Sequence, residues 1–383
     1  MTCFLFEPTA NPFCKAKEAV ADLVVKRLQK AKSSHADSSD LRHEDAPYAY
    51  LIKLSRNIFE QMYETSYNDT YPNVGNGRGV LVIRWLLRLL CTLLLAIMGG
   101  VVYFGYHIWS AAERVYEPTS LSKSALRSHA VDIAKDPVAL LLVGVDERRG
   151  DQGRADSIIV ATINPHQKNI MLTHIPRDTL VDIPGRIKRD KINHSYAYGG
   201  IDLTRKTVEQ FLHIPIDGYV KVNMQGLKDI VNKLGGVEVK VPMSFRFGGH
   251  QFKQGIMRLN GDQSLAFARM RKSDPRGDFG RMKRQQELIR GIIHQSTSLH
   301  SLTQLADVLE HLSTNVKTDI TPVHILKLQR LYANLPSEQF RSCEINGKNT
   351  KINGVYYFQV SKQEQQRIHR QLAEHIDWQP HER

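Results

Sequence analysis

Residues Leu89 to Trp109 read LLCTLLLAIMGGVVYFGYHIW, 21 consecutive positions without Lys, Arg, Asp or Glu. At about 1.5 Å per residue such a helix is roughly 31 Å long, the thickness of a bilayer's hydrocarbon core. A buried helix of a soluble domain is usually shorter. A secretory leader sits at the extreme N-terminus and has a shorter apolar core, although Ser110-Ala111-Ala112 has the small residues a cleavage site needs. The expectation is therefore an uncleaved transmembrane anchor over about residues 81–110, with Tyr103, Tyr106 and Trp109 as interfacial aromatics. Arg78, Arg84 and Arg88 precede the run, whereas Glu113, Arg114 and Glu117 follow it. The positive-inside rule then predicts a single-pass protein of the cell membrane, with residues 1–80 cytoplasmic and the rest outside.

The first 80 residues are polar and irregular, and a partly disordered segment is expected. Ala16–Lys32 could form a basic amphipathic helix, and Ser33–Asp45 reads as a solvated linker. Neither names a function.

The formal charge of the 383-residue chain is +13, and its position matters more than its size. Residues 1–110 hold 12 Lys and Arg against 10 Asp and Glu, while residues 140–300 hold 26 against 16. A basic field of that kind calls for an anionic partner. With the field outside the cell, nucleic acid is excluded as that partner. The four cysteines, Cys3, Cys14, Cys91 and Cys343, show no CxxC spacing, so neither zinc nor redox chemistry is supported.

After a linker over 111–137 the pattern changes. Val138–Val145 is a short continuous apolar run, as in a strand buried on both faces. Ser157–Ile163, Asn169–Ile175, Tyr219–Val222 and Val237–Val241 follow as strands. Helical patterns intervene over Leu203–Leu212, Met224–Leu234, Asp262–Met270 and Gly280–Ser298. Mixed in one stretch, these predict an α/β layered domain over about 138–300. Beyond 300 the pattern, with Leu302–Leu312 and Val323–Leu335, predicts a helical extension to residue 383.

The chemistry-bearing residues cluster at strand ends. Asp146 follows the first strand and Asp156 precedes the second, so a short connection puts both carboxylates at one mouth of the sheet. Two close carboxylates beside phosphate suit Mg²⁺; the alternative is that each acid merely stabilises a turn. Around them lie Arg149, Arg154, Arg177, Lys188, Arg189, Lys191, Arg269, Arg271, Arg276, Arg281 and Arg284. Guanidinium forks can enclose a pyrophosphate, and Arg281 and Gln285 share one helical face near the positive end of its dipole. A solvated basic face is the competing reading. Walker A, GxSxG and HExxH patterns are missing, and His174, His194 and His250 lack ligand spacing.

Taken in order, LLLVGVDERRGDQGRADSIIVATINPHQKNIMLTHIPRDTLVDIPG, KINHSYAYGG, LNGDQSLAFARMR and GDFGRMKRQQ resemble the LytR–CpsA–Psr family over about residues 138–295. The resemblance implies a mixed central β-sheet flanked by helices in αβα layers, enclosing an apolar lipid tunnel. It implies an enzyme that transfers an anionic glycopolymer, of teichoic acid or capsule type, from a polyprenyl-pyrophosphate carrier onto peptidoglycan through a phosphodiester. By that resemblance Asp146 and Asp156 match the Mg²⁺-associated acids. Arg177, Lys191, Arg269, Arg271, Arg281 and Gln285 match pyrophosphate-holding positions, with Arg154 and Asp278 inside matching motifs. Arg177 and Asp278 are the candidate catalytic residues, with Asp278, or whichever of Asp146 and Asp156 holds no metal, as acceptor of the hydroxyl proton. A polyprenyl-pyrophosphate hydrolase and a non-catalytic wall-binding or regulatory protein are the rival expectations.

Overall fold

The computed structural model describes residues 77–119, 123–147, 153–296, 312, 314–332 and 335–379. The segment 1–76, with the expected helix Ala16–Lys32 and linker Ser33–Asp45, lies outside the described residues, as do Arg149 and nearly all of Leu302–Leu312. The chain divides into two units, residues 1–91 and 92–383. Helix α1 (Gly77–Val115) contains one stretch long and apolar enough to cross a membrane, Val82–Tyr103, with a mean hydropathy of 2.2 and no buried share.

The second unit is built on a six-stranded mixed sheet. Its strands are β1 (Val138–Val145), β2 (Ala155–Asn164), β3 (Asn169–Ile175), β6 (Gly218–Asn223), β11 (Val316–Thr318) and β12 (Phe340–Cys343), in the order β11-β6-β1-β2-β3-β12, while β4 (Leu180–Val181) pairs with β5 (Asp190–Lys191) and β8 (Phe245–Phe247) with β9 (His250–Phe252) outside it. β1, β2 and β3 form an antiparallel meander, whereas β6 runs parallel to β1 and β12 parallel to β3. Because side chains alternate along a strand, the continuous apolar run of β1 feeds two layers. Ala139, Leu141, Val143 and Val145 pack toward α2 (His194–Leu212) and α7 (Lys362–His375), through Val208, Leu212, Ile368 and Leu372. Leu140, Ile159, Ala161 and Leu172 face α5 (Asp278–Ser296) and α6 (Pro322–Tyr332), through Ile289, Ile293 and Leu328. Each fully buried leucine or isoleucine contributes about 1.5–3 kcal/mol. The expected αβα layering is therefore present.

A third apolar cluster joins α3 (Met224–Lys233), the β7–β10 pair (Val237–Val241 with Gly255–Leu259), α4 (Gly261–Arg269) and Leu288 of α5. The LNGDQSL motif opens α4 with a capping box. Asn260 accepts from the Gln263 amide, and the Gln263 side chain accepts from the Asn260 amide. Part of what makes that motif recognisable is thus a helix start that fixes where Arg269 emerges.

Two expectations about boundaries are corrected. The stretch beyond 300 is no helical extension, since β11 and β12 form both edges of the central sheet and α7 closes one of its cores. These strands escaped notice because VKT and FRSC are too short and too polar to show a period of two. Residues 111–137 are no loose linker either. The Glu117 amide donates to Thr318 O at 2.8 Å, and Arg127 pairs with Asp217 at 2.8 Å. Asp217 in turn accepts from the Ala139 amide at 3.0 Å, at the start of β1.

Candidate active site

A cavity of about 670 Å³ lies between the Leu140/Leu142 face of the sheet and helices α3 and α5. Its wall is aliphatic, with Leu142, Ile163, Ile170, Ile230, Ile292 and Ile293 among the lining residues, while one group of lining residues is charged: Asp146, Asp156, Arg177, Arg269, Arg271 and Arg281. Strand alternation accounts for part of this gathering. Asp146 continues the series Leu140, Leu142, Gly144 on the cavity face. Asp156 does not follow the rule, since regular alternation from Ser157, Ile159 and Ala161 would turn it to the opposite face. The β1–β2 ladder breaks there, pairing Gly144 with Ser157 but Val145 with Ala155, so that Asp156 has no opposite number. This bulge re-aims Asp156, and both Asp156 and Ser157 line the cavity.

Two of the lining arginines, Arg177 and Arg281, are held by carboxylates. Arg177 Nη1 donates to Asp156 Oδ1 at 2.5 Å, and its Nε lies 3.8 Å from Asp178. Burial disfavours the charge on Arg177, but Asp156, Asp178 and Asp278 outweigh it and hold the guanidinium's proton more tightly than usual. Arg281, 8% exposed, pairs with Asp278 at 2.9 Å. There burial wins; Asp278 offsets it in part, and the nearby cations Arg177 and Arg271 add repulsion, so its proton is held less tightly than usual. The Arg281 Nε is buried without a hydrogen-bond partner. A cluster of like charges with an unused donor is an arrangement that an anion stabilises. Gln285, one turn on, accepts from Ser157 Oγ at 3.1 Å and donates to Ala268 O at 3.3 Å, tying α5 to the bulge. His174, buried on β3, is pushed down to about 3, by desolvation first and by Arg281 second, and stays neutral.

Other expected site residues sit differently. Arg154 is exposed and does not line the cavity; its carbonyl accepts from the Asp146 amide at 3.2 Å. Alternation explains this, since buried Gly153 and Ala155 flank it. Lys191 stands behind the lining, paired with Asp178 at 2.7 Å. Asp278 opens α5, which begins two residues before the expected Gly280; it does not line the cavity and acts on it through Arg281 and Arg177. Arg276 and Arg284 are structural, both bound to Asp274, and Arg284 is fully buried. Two contributors were not singled out from sequence. Asp178, beside Arg177 in HIPRDT, bridges Arg177 and Lys191, and Lys272 joins the lining. Only adjacency to the motif arginines could have signalled them.

Among the described residues no three His, Cys, Asp or Glu side chains gather as a metal site. Asp146 and Asp156 on one cavity wall nevertheless fit Mg²⁺, which commonly takes one or two carboxylates and completes its shell with water and substrate phosphate.

An aliphatic chamber with guanidinium groups and two carboxylates in its lining, set against a mixed sheet, defines the domain as an α/β fold with a mixed apolar and basic cavity. The comparisons give it a family: the LytR_cpsA_psr pattern matches residues 102–374, and the chain belongs to that family. It is 42% identical over 279 residues to a Bacillus licheniformis protein named polyisoprenyl-teichoic acid–peptidoglycan teichoic acid transferase TagU, covering 72% of this chain and 90% of that one. The crystal structure of B. subtilis TagV superimposes with a TM-score of 0.59 at 38% identity, over 64% of this chain and 99% of that one. The family protein YwtF (TagT), solved with bound octaprenyl pyrophosphate lipid, gives a TM-score of 0.55 at 30% identity, over 67% and 97%.

Proposed function

We propose that this protein is a membrane-anchored phosphotransferase that moves an anionic glycopolymer of the teichoic acid type from a polyprenyl-pyrophosphate carrier onto peptidoglycan. The observation that carries this reading is the continuity of one aliphatic cavity with an arginine cluster and two carboxylates. The aliphatic wall would take the prenyl chain, and the charged end the pyrophosphate. The flanking charges and the apolar stretch of α1 support a single-pass topology with the catalytic unit outside the cell.

In the proposed reaction a wall-sugar hydroxyl attacks the phosphorus that bears the glycan. The bond from that phosphorus to the bridging oxygen breaks, polyprenyl phosphate departs, and the glycan remains joined to the wall through a phosphodiester. Arg177, Arg269, Arg271 and Arg281 would spread the charge that builds on the phosphoryl oxygens, and Gln285 and Lys191 would hold the surrounding donors in place. Asp278, ion-paired beside the arginines, is the proposed acceptor of the hydroxyl proton. Mg²⁺ held by Asp146 and Asp156 would neutralise pyrophosphate charge. No protein nucleophile is needed, because phosphoryl transfer rests on positioning and electrostatics.

The test supplies full-length protein with a lipid-linked disaccharide and peptidoglycan oligomers. A covalent conjugate is expected, with the Asp156→Asn variant needing more Mg²⁺ for half-maximal rate. Free glycan phosphate without conjugate would make the protein a hydrolase, and no turnover at all would make it a binder.

A further inference from the structure

Beside Asp178 lies a surface whose residues do not line the cavity. Strands β13 (Lys348–Ile352) and β14 (Val355–Gln359) form a hairpin in register Lys351–Tyr356 and Thr350–Tyr357. Buried Phe358 anchors it: its amide donates to Asp178 O at 2.9 Å, it bridges Thr179, and its ring meets Phe279 edge-on at 5.8 Å. Tyr356 and Tyr357 are thereby set beside Lys191, whose Nζ lies 5.9 and 5.6 Å from their ring centres. Lys191 is bound to Asp178, which neighbours Arg177 of the cavity lining, so the hairpin borders directly on the charged end. Tyr198 of α2 is tied to β5 through Asp190, the chain neighbour of Lys191, and the Arg186 guanidinium stacks 3.8 Å from its ring centre, over one face.

We propose that these tyrosines form the shelf on which the acceptor glycan strand of peptidoglycan is seated. The idea rests on the transferase reading above and gives its second substrate a place. Two observations point to a carbohydrate. The rings of Tyr198 and Tyr356 are 44% and 41% exposed but fixed at their hydroxyls, Tyr198 donating to Asp190 at 2.7 Å and Tyr356 to Asn349 at 2.8 Å. A rigid, amphipathic aromatic face with hydrogen-bonding groups at its rim fits the apolar face of a pyranose at low entropic cost. The surface is also basic. The hairpin carries Lys348 and Lys351 and no acid between 348 and 359, and the turn before Asp190 adds Arg186, Lys188 and Arg189, all exposed. That complements a glycan bearing lactyl-peptide carboxylates. Burial first, and then the carboxylates of Asp178 and Asp278, hold the Tyr356 hydroxyl above its ordinary range, so it stays protonated.

The experiment uses full-length protein in detergent with an uncrosslinked peptidoglycan oligomer and a short-chain polyprenyl-pyrophosphate disaccharide. Tyr198→Ala and Tyr356→Ala together should raise KM for the oligomer about tenfold, as loss of buried ring contact predicts, and leave the Kd for the donor unchanged. The Tyr198→Phe, Tyr356→Phe pair should recover most of that loss. Lys351→Glu should raise the same KM at low salt, with the difference shrinking as salt is added. An unchanged oligomer KM in the alanine pair overturns the shelf. So does a fall in donor affinity, which would give the rings to the donor's own sugars, or a loss confined to binding of anionic lipid vesicles, which would make this a membrane contact. Oligomer affinity measured directly, without turnover, decides the shelf even if wild type forms no conjugate, an outcome that sinks the transferase reading instead.

Discussion

At the scale of single residues the site is a matter of unbalanced charge. Arg281 is nearly buried, leans on Asp278 and is crowded by Arg177 and Arg271. Arg281→Ala should weaken binding of a polyprenyl pyrophosphate by about one to two orders of magnitude, the worth of one charge-assisted contact. Calorimetric titration reads it, and an unchanged Kd would remove Arg281 from the clamp. Two histidines act on stability. His174 and His375 are buried, with pKa values pushed to about 3 and about 4, desolvation being the main cause in both. Their folded values are below the unfolded value near 6.5, so between about 4 and 6.5 the unfolded chain binds more protons. Stability is full above 6.5 and should fall as pH drops through that window. The urea midpoint should follow, and His375→Gln should flatten part of the slope.

At the scale of elements, the start of α5 shows how a motif glycine works. A Cβ on Gly280 would overlap the Asp274 carboxylate, which binds buried Arg284 and, through it, the Phe267 and Met270 carbonyls at the end of α4. Gly280→Ala should destabilise the fold by about 1–3 kcal/mol and disorder the Arg269–Arg271 segment; an unchanged melting temperature and unchanged donor affinity would contradict this. Much of the frame was legible beforehand. Val138–Val145 and Asn169–Ile175 have the expected bounds because burial of a nearly continuous run dictates their state, and Val237–Val241 because buried valines alternate with exposed Glu238 and Lys240. The arginines that line the cavity were legible as a group, but their division of labour was not. Arg284 and Arg276 look like Arg281 in sequence, and only the position of Asp274 sets them apart. The meeting of Asp146 and Asp156 at one mouth was legible from their short connection, but the bulge that turns Asp156 to the cavity face was not, since no periodicity records a break in a ladder.

At the scale of the whole molecule, the catalytic unit depends on both ends of its chain. Residues 116–117 fasten to β11, and the last helix buries Ile368 and Leu372 against the core behind the site. Truncation before Phe340, which removes β12, the Tyr356 hairpin and α7, should leave a protein that aggregates or is degraded rather than a smaller active enzyme. Limited proteolysis and a calorimetric melt would detect this, and a soluble, cooperatively melting fragment would refute it. The same arrangement governs how the domain comes into being. A chain emerging from its N-terminus completes β3 by residue 175, yet the partner of that edge is not made until residue 340, and the opposite edge of β6 waits for residue 316. During that interval both borders of a strongly apolar sheet stand open, a template for pairing with neighbouring chains. The protein's yield at the membrane should therefore be limited by the time its half-made sheet spends unpartnered.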